Sequence, residues 1–118
     1  AVYHFKSSEA YIYPVVKDFK DEILIKISGK NWLDISETKA NKGNALREVQ
    51  KRLNITKEET LVFGDYHNDL EMLQEATFSF AMGNAHQDVK NTANFSTDTN
   101  NNNGVEKILQ ELILKRTI

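Results

Sequence analysis

The stretch Thr60–Met72, TLVFGDYHNDLEM, decides how the chain folds. Leu61, Val62 and Phe63 have the length and composition of a buried strand. Gly64 lets the backbone turn, and Asp65, Asn68 and Asp69 follow within the same loop. Leu70, Met72, Leu73 and Ala76 then recur at helical spacing. The pattern predicts a strand, an acidic loop, and a helix with Asn68 and Asp69 at its start. In open α/β sheets, ligands collect at the carboxyl ends of strands, where this loop would lie. Two carboxylates and an amide there suit a hard cation such as Mg²⁺, which takes oxygen ligands. Asn and Asp are also ordinary helix caps, so these residues alone leave the loop open between site and cap. A calcium loop of the EF-hand type fits less well, because the acidic spacing is wrong and the central Gly is missing.

Outward from this stretch, helix and strand alternate. Upstream, Ala45, Leu46, Val49 and Leu53 mark an amphipathic helix ending near Asn54. Downstream, Phe78, Phe80 and Met82 alternate as a strand, followed by a turn at Gly83-Asn84. A short helix is expected over His86 to Thr92, and a short strand at Phe95. The run Asn100 to Asn103 reads as a turn that caps a last helix. That helix carries the apolar stripe Val105, Ile108, Leu109, Leu112 and Ile113. Such alternation implies a parallel sheet with right-handed crossovers.

Residues 1–37 follow a different, β-rich pattern. Tyr11, Ile12 and Tyr13 suggest a strand, Pro14 the first turn of a short helix, and Val16, Phe19 and Ile23 one face of that helix. Ile23–Ile35 reads as a β-hairpin turning at Ser28-Gly29-Lys30-Asn31. Trp32 is assigned to packing rather than to a ligand platform. The polar run Ser36 to Asn41 marks a boundary, giving expected segments 1–37 and 38–118.

The chain has 118 residues, of which 40% are hydrophobic and 27% charged, with a net charge of −2. Acidic and basic residues are interspersed, which argues against a nucleic-acid surface or a polybasic membrane contact. With no cysteine there is neither a disulfide framework nor a thiolate metal site. No apolar stretch approaches the roughly 20 residues that span a bilayer. No signal peptide is visible at Ala1, so the cytoplasm is the default location. The first residue is not methionine, which suggests that the chain begins partway through a longer protein.

Lys42 stands just before the first core helix, where a positive charge opposes the helix dipole. It is therefore a candidate for holding an anion together with the free backbone N–H groups. Of the histidines, His67 lies inside the acidic loop as a candidate ligand or acid–base group. His4 and His86 read as surface residues. No Gly-x-Ser-x-Gly elbow, Walker loop or G-x-G-x-x-G is present.

Three blocks occur in order: Lys42-Gly43-Asn44-Ala45-Leu46, the run Phe63 to Leu73 (FGDYHNDLEML), and Ala81-Met82-Gly83-Asn84-Ala85, with Gly104-Val105 opening the last helix. This series resembles the C-terminal part of the Cof-type haloacid-dehalogenase-like (HAD superfamily) phosphatases. The resemblance covers about residues 22–115. It implies a Rossmann-like three-layer α/β sandwich with a parallel sheet, here a partial core of residues 38–118, preceded by the β-rich tail of an α/β cap in residues 1–37. It further implies that Asp65 is the acidic Mg²⁺ ligand and that Asp69 supports the metal's water shell or the loop. Lys42 would be the family's lysine on the phosphoryl group, and Asn68 would hydrogen-bond the substrate phosphate. The implied substrate is a small phosphorylated metabolite, a sugar or nucleotide phosphate.

Such roles make electrostatic sense. A phosphate monoester and an attacking aspartate are both negative, and a cation on each side lowers their repulsion. The family's nucleophile sits in an Asp-x-Asp motif after the first core strand, and no Asp-x-Asp occurs in these residues. The isolated chain is therefore expected not to turn over phosphate esters. Without that first strand, the acidic-loop strand is expected to have an open, apolar edge unless another segment or chain covers it. The alternative is a non-catalytic phosphate- or metal-binding module. A phospho-receiver domain is rejected, since no acidic pair follows a first strand.

Overall fold

A computed structural model describes residues 1–116; residues 117 and 118, which close the second expected segment, lie outside the described residues. The strands are β1 (Val2–Tyr3), β2 (Leu24–Ile27), β3 (Trp32–Ser36), β4 (Leu61–Gly64), β5 (Phe78–Ala81) and β6 (Phe95–Ser96). The helices are α1 (Ser8–Tyr11), α2 (Tyr13–Val16), α3 (Lys42–Leu53), α4 (Leu70–Leu73), α5 (Gln87–Thr92) and α6 (Gly104–Arg116). They build two three-stranded sheets, an antiparallel one ordered β1-β3-β2 and a parallel one ordered β4-β5-β6. The α/β alternation and parallel sheet read from the sequence are thus present. Among the described residues, no helix is long and apolar enough to cross a membrane.

The parallel sheet surrounds the core. Val62, Leu73, Ala76, Ala81, Met82, Ala85 and Val89 form one buried cluster, with Leu46, Phe63, Met72 and Val105 packed against it. Register aligns Gly64 with Ala81, so the loops after β4 and β5 leave the sheet side by side. The second edge of β4 takes no strand among the described residues. On α6, Leu109, Leu112, Ile113 and Leu114 remain exposed, so much of the expected stripe lies open.

Local chemistry explains most boundaries. Asn41 accepts from the Asn44 amide (2.8 Å) to start α3. Asn54 ends that helix at φ 53°, a left-handed conformation that Asn tolerates, with its N–H shared between Gln50 and Lys51 carbonyls. Asn103, at φ 56°, makes the corresponding turn into α6.

Tyr11–Tyr13 departs from expectation: the run is helical, not a strand. Ser7 Oγ accepts from the Ala10 amide (3.1 Å), capping α1. Buried Ser8 donates its amide to Lys30 O at 2.9 Å, and its hydroxyl lies 3.0–3.3 Å from the carbonyls of Gly29, Lys30 and Trp32. Those contacts anchor the segment to the hairpin turn end-on, leaving no neighbouring strand for Tyr11–Tyr13 to pair with. Pro14 occupies the first turn of α2, as expected. Trp32 packs edge-on against Tyr3 at a centroid distance of 5.0 Å and is otherwise half exposed.

Candidate active site

The site is assembled where α3 begins and β4 ends. Gly64 is the hinge of the second part: a Cβ there would lie 2.8 Å from Asp69 Cβ and 3.1 Å from Leu73 Cδ1. Its absence lets Asp69, in the 3-10 turn His67–Asp69, fold back beneath the strand end. Asp69 is 3% exposed. Its Oδ2 accepts from the Asp65 amide at 2.9 Å and, more weakly, from the Tyr66 amide at 3.4 Å. Its Oδ1 receives the Lys42 ammonium. A buried carboxylate is costly unless paired and hydrogen-bonded, and Asp69 is both.

Lys42 reaches Asp69 because α3 and α4 approach closely. A Cβ on Gly43 would lie 2.7 Å from Glu71 Cβ and 2.8 Å from its carbonyl oxygen, so only glycine fits that contact. Half of the Lys42 side chain stays exposed, leaving the ammonium available to an incoming anion.

Lys42, Asp65 and Asp69 line one groove of about 350 Å³, with Phe63, Met72, Met82 and Asn100 among its other walls. Asn68 lies on the other side of Lys42. With Lys42, Asn41, Lys26 and Asp34 it lines a smaller cavity of about 130 Å³ between the hairpin and the start of α3. The four residues singled out from the sequence therefore converge, with Lys42 common to both spaces. Asp65 lines the groove and Asn68 the smaller cavity.

Asp65 is open to solvent, yet its carboxyl is raised above the ordinary range. Desolvation by the groove contributes most and the Asp69 carboxylate next, with Lys42 opposing both. Two carboxylates facing one ammonium leave a surplus negative charge among oxygen donors. That donor set fits a hard divalent cation of the Mg²⁺ type, which takes few protein carboxylates and keeps several waters. Of the two carboxylates, Asp65 is the more open to such a cation, since Asp69 is committed to Lys42 and to two amides.

A profile of haloacid dehalogenase-like hydrolases matches residues 2–109. The chain belongs to that family. It is 39% identical over 93 residues to Phosphatase YwpJ of Bacillus subtilis (strain 168), covering 79% of this chain and 33% of the relative. Over 93 residues it is 38% identical to 5-amino-6-(5-phospho-D-ribitylamino)uracil phosphatase YcsE of Bacillus subtilis (strain 168), covering 79% of this chain and 37% of the relative. The crystal structure of SMU.1108c from Streptococcus mutans UA159 superposes with a TM-score of 0.82 at 33% identity, over 91% of this chain and 41% of that one. The chain thus spans about a third of the length of these curated relatives.

Two features escaped the sequence reading. Lys26 on β2 pairs with Glu71 on α4, tying the hairpin to the parallel half. His86, read as a surface residue, instead stands half-buried beside His67, and Asp88 joins them. Gly64 aligns with Ala81 in the parallel ladder, which brings the loops carrying both histidines side by side, and no stretch of the sequence signals that register.

Proposed function

We propose that these residues are the carboxyl-terminal part of a Cof-type, Mg²⁺-dependent phosphomonoesterase acting on small phosphorylated metabolites, sugar or nucleotide phosphates. Residues 1–37 are the end of its cap and residues 38–118 part of its core. The nucleophilic aspartate, which forms an aspartyl-phosphate, lies outside this chain, on a strand that covers the open edge of β4. The observation carrying this reading is the shared groove of Lys42 and Asp65, joined through buried Asp69. The names of the relatives, all hydrolases of phosphorylated compounds where a substrate is printed, support the substrate class.

In this mechanism Lys42 sits on the phosphoryl oxygens and counters their charge as it shifts toward the transition state. Asn68 donates its amide to the same group from the hairpin side. Asp69 holds the Lys42 ammonium and the Asp65 backbone in place and does not itself react. Asp65 supplies a carboxylate to Mg²⁺, which when bound screens the phosphate from the attacking carboxylate. Lys26 and Asp34 stand on the hairpin wall of the smaller cavity, the side from which a leaving group would approach.

The test is phosphate release by the full-length protein from a panel of sugar phosphates and nucleoside monophosphates. Activity is expected to require Mg²⁺. Lys42→Met should lower kcat/KM by on the order of 10²–10³, and Asp65→Asn should raise the Mg²⁺ needed for half-maximal rate. The isolated 118-residue chain should be inactive. Hydrolysis indifferent to both substitutions would overturn the assignment.

A further inference from the structure

His67, in the 3-10 turn after β4, and His86 and Asp88, at the start of α5, each direct one ligand atom into a common space. Those three atoms lie within 4.8 Å of one another. His67 Nε2 is 3.0 Å from Asp88 Oδ2, and His86 Nδ1 is 3.5 Å from the same oxygen. The two rings are 4.1 Å apart at 50°, and Tyr66 stands edge-on to both.

The two nitrogen–oxygen separations match a coordination sphere. An ion bonded to imidazole nitrogen and carboxylate oxygen at about 2.0–2.2 Å holds neighbouring donors roughly 3–3.5 Å apart in tetrahedral geometry. A histidine–aspartate ion pair needs one imidazole, whereas here two converge on one oxygen. His67 turns its Nε2 to the Asp88 carboxylate, and its buried Nδ1 has no hydrogen-bond partner among the described residues.

We propose that His67, His86 and Asp88 bind one divalent transition-metal ion of the zinc class, at a site separate from the carboxylate groove around Asp65. Two imidazoles and a carboxylate select Zn²⁺, Ni²⁺ or Cu²⁺ over Mg²⁺, which prefers oxygen donors throughout. Three protein ligands leave a fourth position for water or a small anion. The site is joined to the neighbouring loop through the backbone: the His86 amide donates to the Asp65 carbonyl at 2.9 Å. His67 belongs to the same turn as Asn68 and Asp69. An ion here clamps that turn to the start of α5 and restricts the loop that carries Asn68. The binding site stands whether or not the chain is part of a phosphatase, since all three ligands are its own.

Zn²⁺ is titrated calorimetrically into the full-length protein in excess Mg²⁺. One ion should bind, and His86→Ser and Asp88→Asn should each weaken it by on the order of 100-fold. His86→Ser retains a hydroxyl to cap α5, replacing the contact from the Asp88 amide to His86 Nδ1 (3.2 Å). Asp65→Asn should leave Zn²⁺ affinity within a few-fold of the parent. A readout without mutation uses the chain's three histidines: the ring resonances of His67 and His86 should shift with Zn²⁺ while those of His4 stay. No Zn²⁺ binding, binding untouched by the His86 and Asp88 changes, binding lost with Asp65→Asn, or no shift of the His67 and His86 rings would each overturn the proposal.

Discussion

The two sheets have equal numbers of strands and are held by different forces. The parallel sheet closes around an apolar cluster that includes Leu73 (1% exposed) and Val89 (0%). In the antiparallel sheet, Leu33 is fully buried, while Val2, Tyr3, Trp32 and Ile35 are exposed. That sheet relies on polar fastenings instead: Ser8 on the hairpin turn, and Lys26 on Glu71. The difference matches the division of labour. On the function proposed above, the groove that holds charges in place belongs on a packed core, while the hairpin wall tolerates looser attachment.

The largest test of this contrast removes one buried leucine from each half. Leu73→Ala and Leu33→Ala should each cost about 2–5 kcal/mol. Trp32, the single tryptophan, sits on β3 and reports the antiparallel half alone. In urea, Leu33→Ala should move the Trp32 fluorescence transition more than the far-UV circular dichroism transition, and Leu73→Ala should move mainly the latter. Identical shifts of both signals in both variants would show one cooperative unit and erase the distinction.

Next in size is the joint between α3 and α4. Gly43→Ala drives a Cβ into Glu71 backbone and should cost about 1–3 kcal/mol. Because it also moves Lys42 away from Asp69, any activity of the full-length protein should fall further than its stability. A variant that melts early yet keeps its rate per folded molecule would separate packing from site geometry.

Smaller effects are expected from the polar fastenings. Ser8→Ala should cost about 1 kcal/mol, seen in the Trp32 signal and scarcely in the dichroism. Lys26→Met should cost less, about 0.5 kcal/mol, because both partners are partly exposed. If Lys26→Met destabilised the parallel half as strongly as the hairpin, the two sheets would be more tightly coupled than their packing indicates.

The parallel half was legible because its signals are local. Leu61–Phe63, the helix ending at Asn54 and the Phe78–Phe80 alternation are set by period and by caps within a few residues. That Lys42, Asp65 and Asp69 would share one groove was legible for a related reason: each sits at an element boundary where its residue type has a particular use. Tyr11–Tyr13 was misread because three strand-forming residues face a decision made elsewhere, by Ser8 contacts to carbonyls 21 to 24 positions away. The His67, His86 and Asp88 group was missed because it depends on register between strands, which no single stretch encodes. Lys26 and Glu71, 45 positions apart, share that difficulty.

The smallest predicted effect asks how much a surface ion pair adds to the packed half. Asp98 sits before the turn into α6, and a Cβ on Gly104 would lie 2.2 Å from its carbonyl oxygen, so the segment is tightly folded. Its carboxylate accepts from Lys107, from the Thr99 amide and from Asn102, and these bonds, Lys107 foremost, hold its pKa at about 2, below the ordinary 3.8. A depressed carboxylate stabilises the fold at pH values above the unfolded pKa and loses that contribution as pH falls from 3.8 to about 2. Asp98→Asn should therefore lower Tm slightly at neutral pH, with the deficit shrinking to nothing near pH 2. Salt should shrink it too, since the group is exposed to solvent. A deficit that persisted in acid would mean that Asp98 acts through its shape and not its charge. The turn into α6 would then be held by its close packing, which would sharpen the contrast with the polar fastenings of the hairpin.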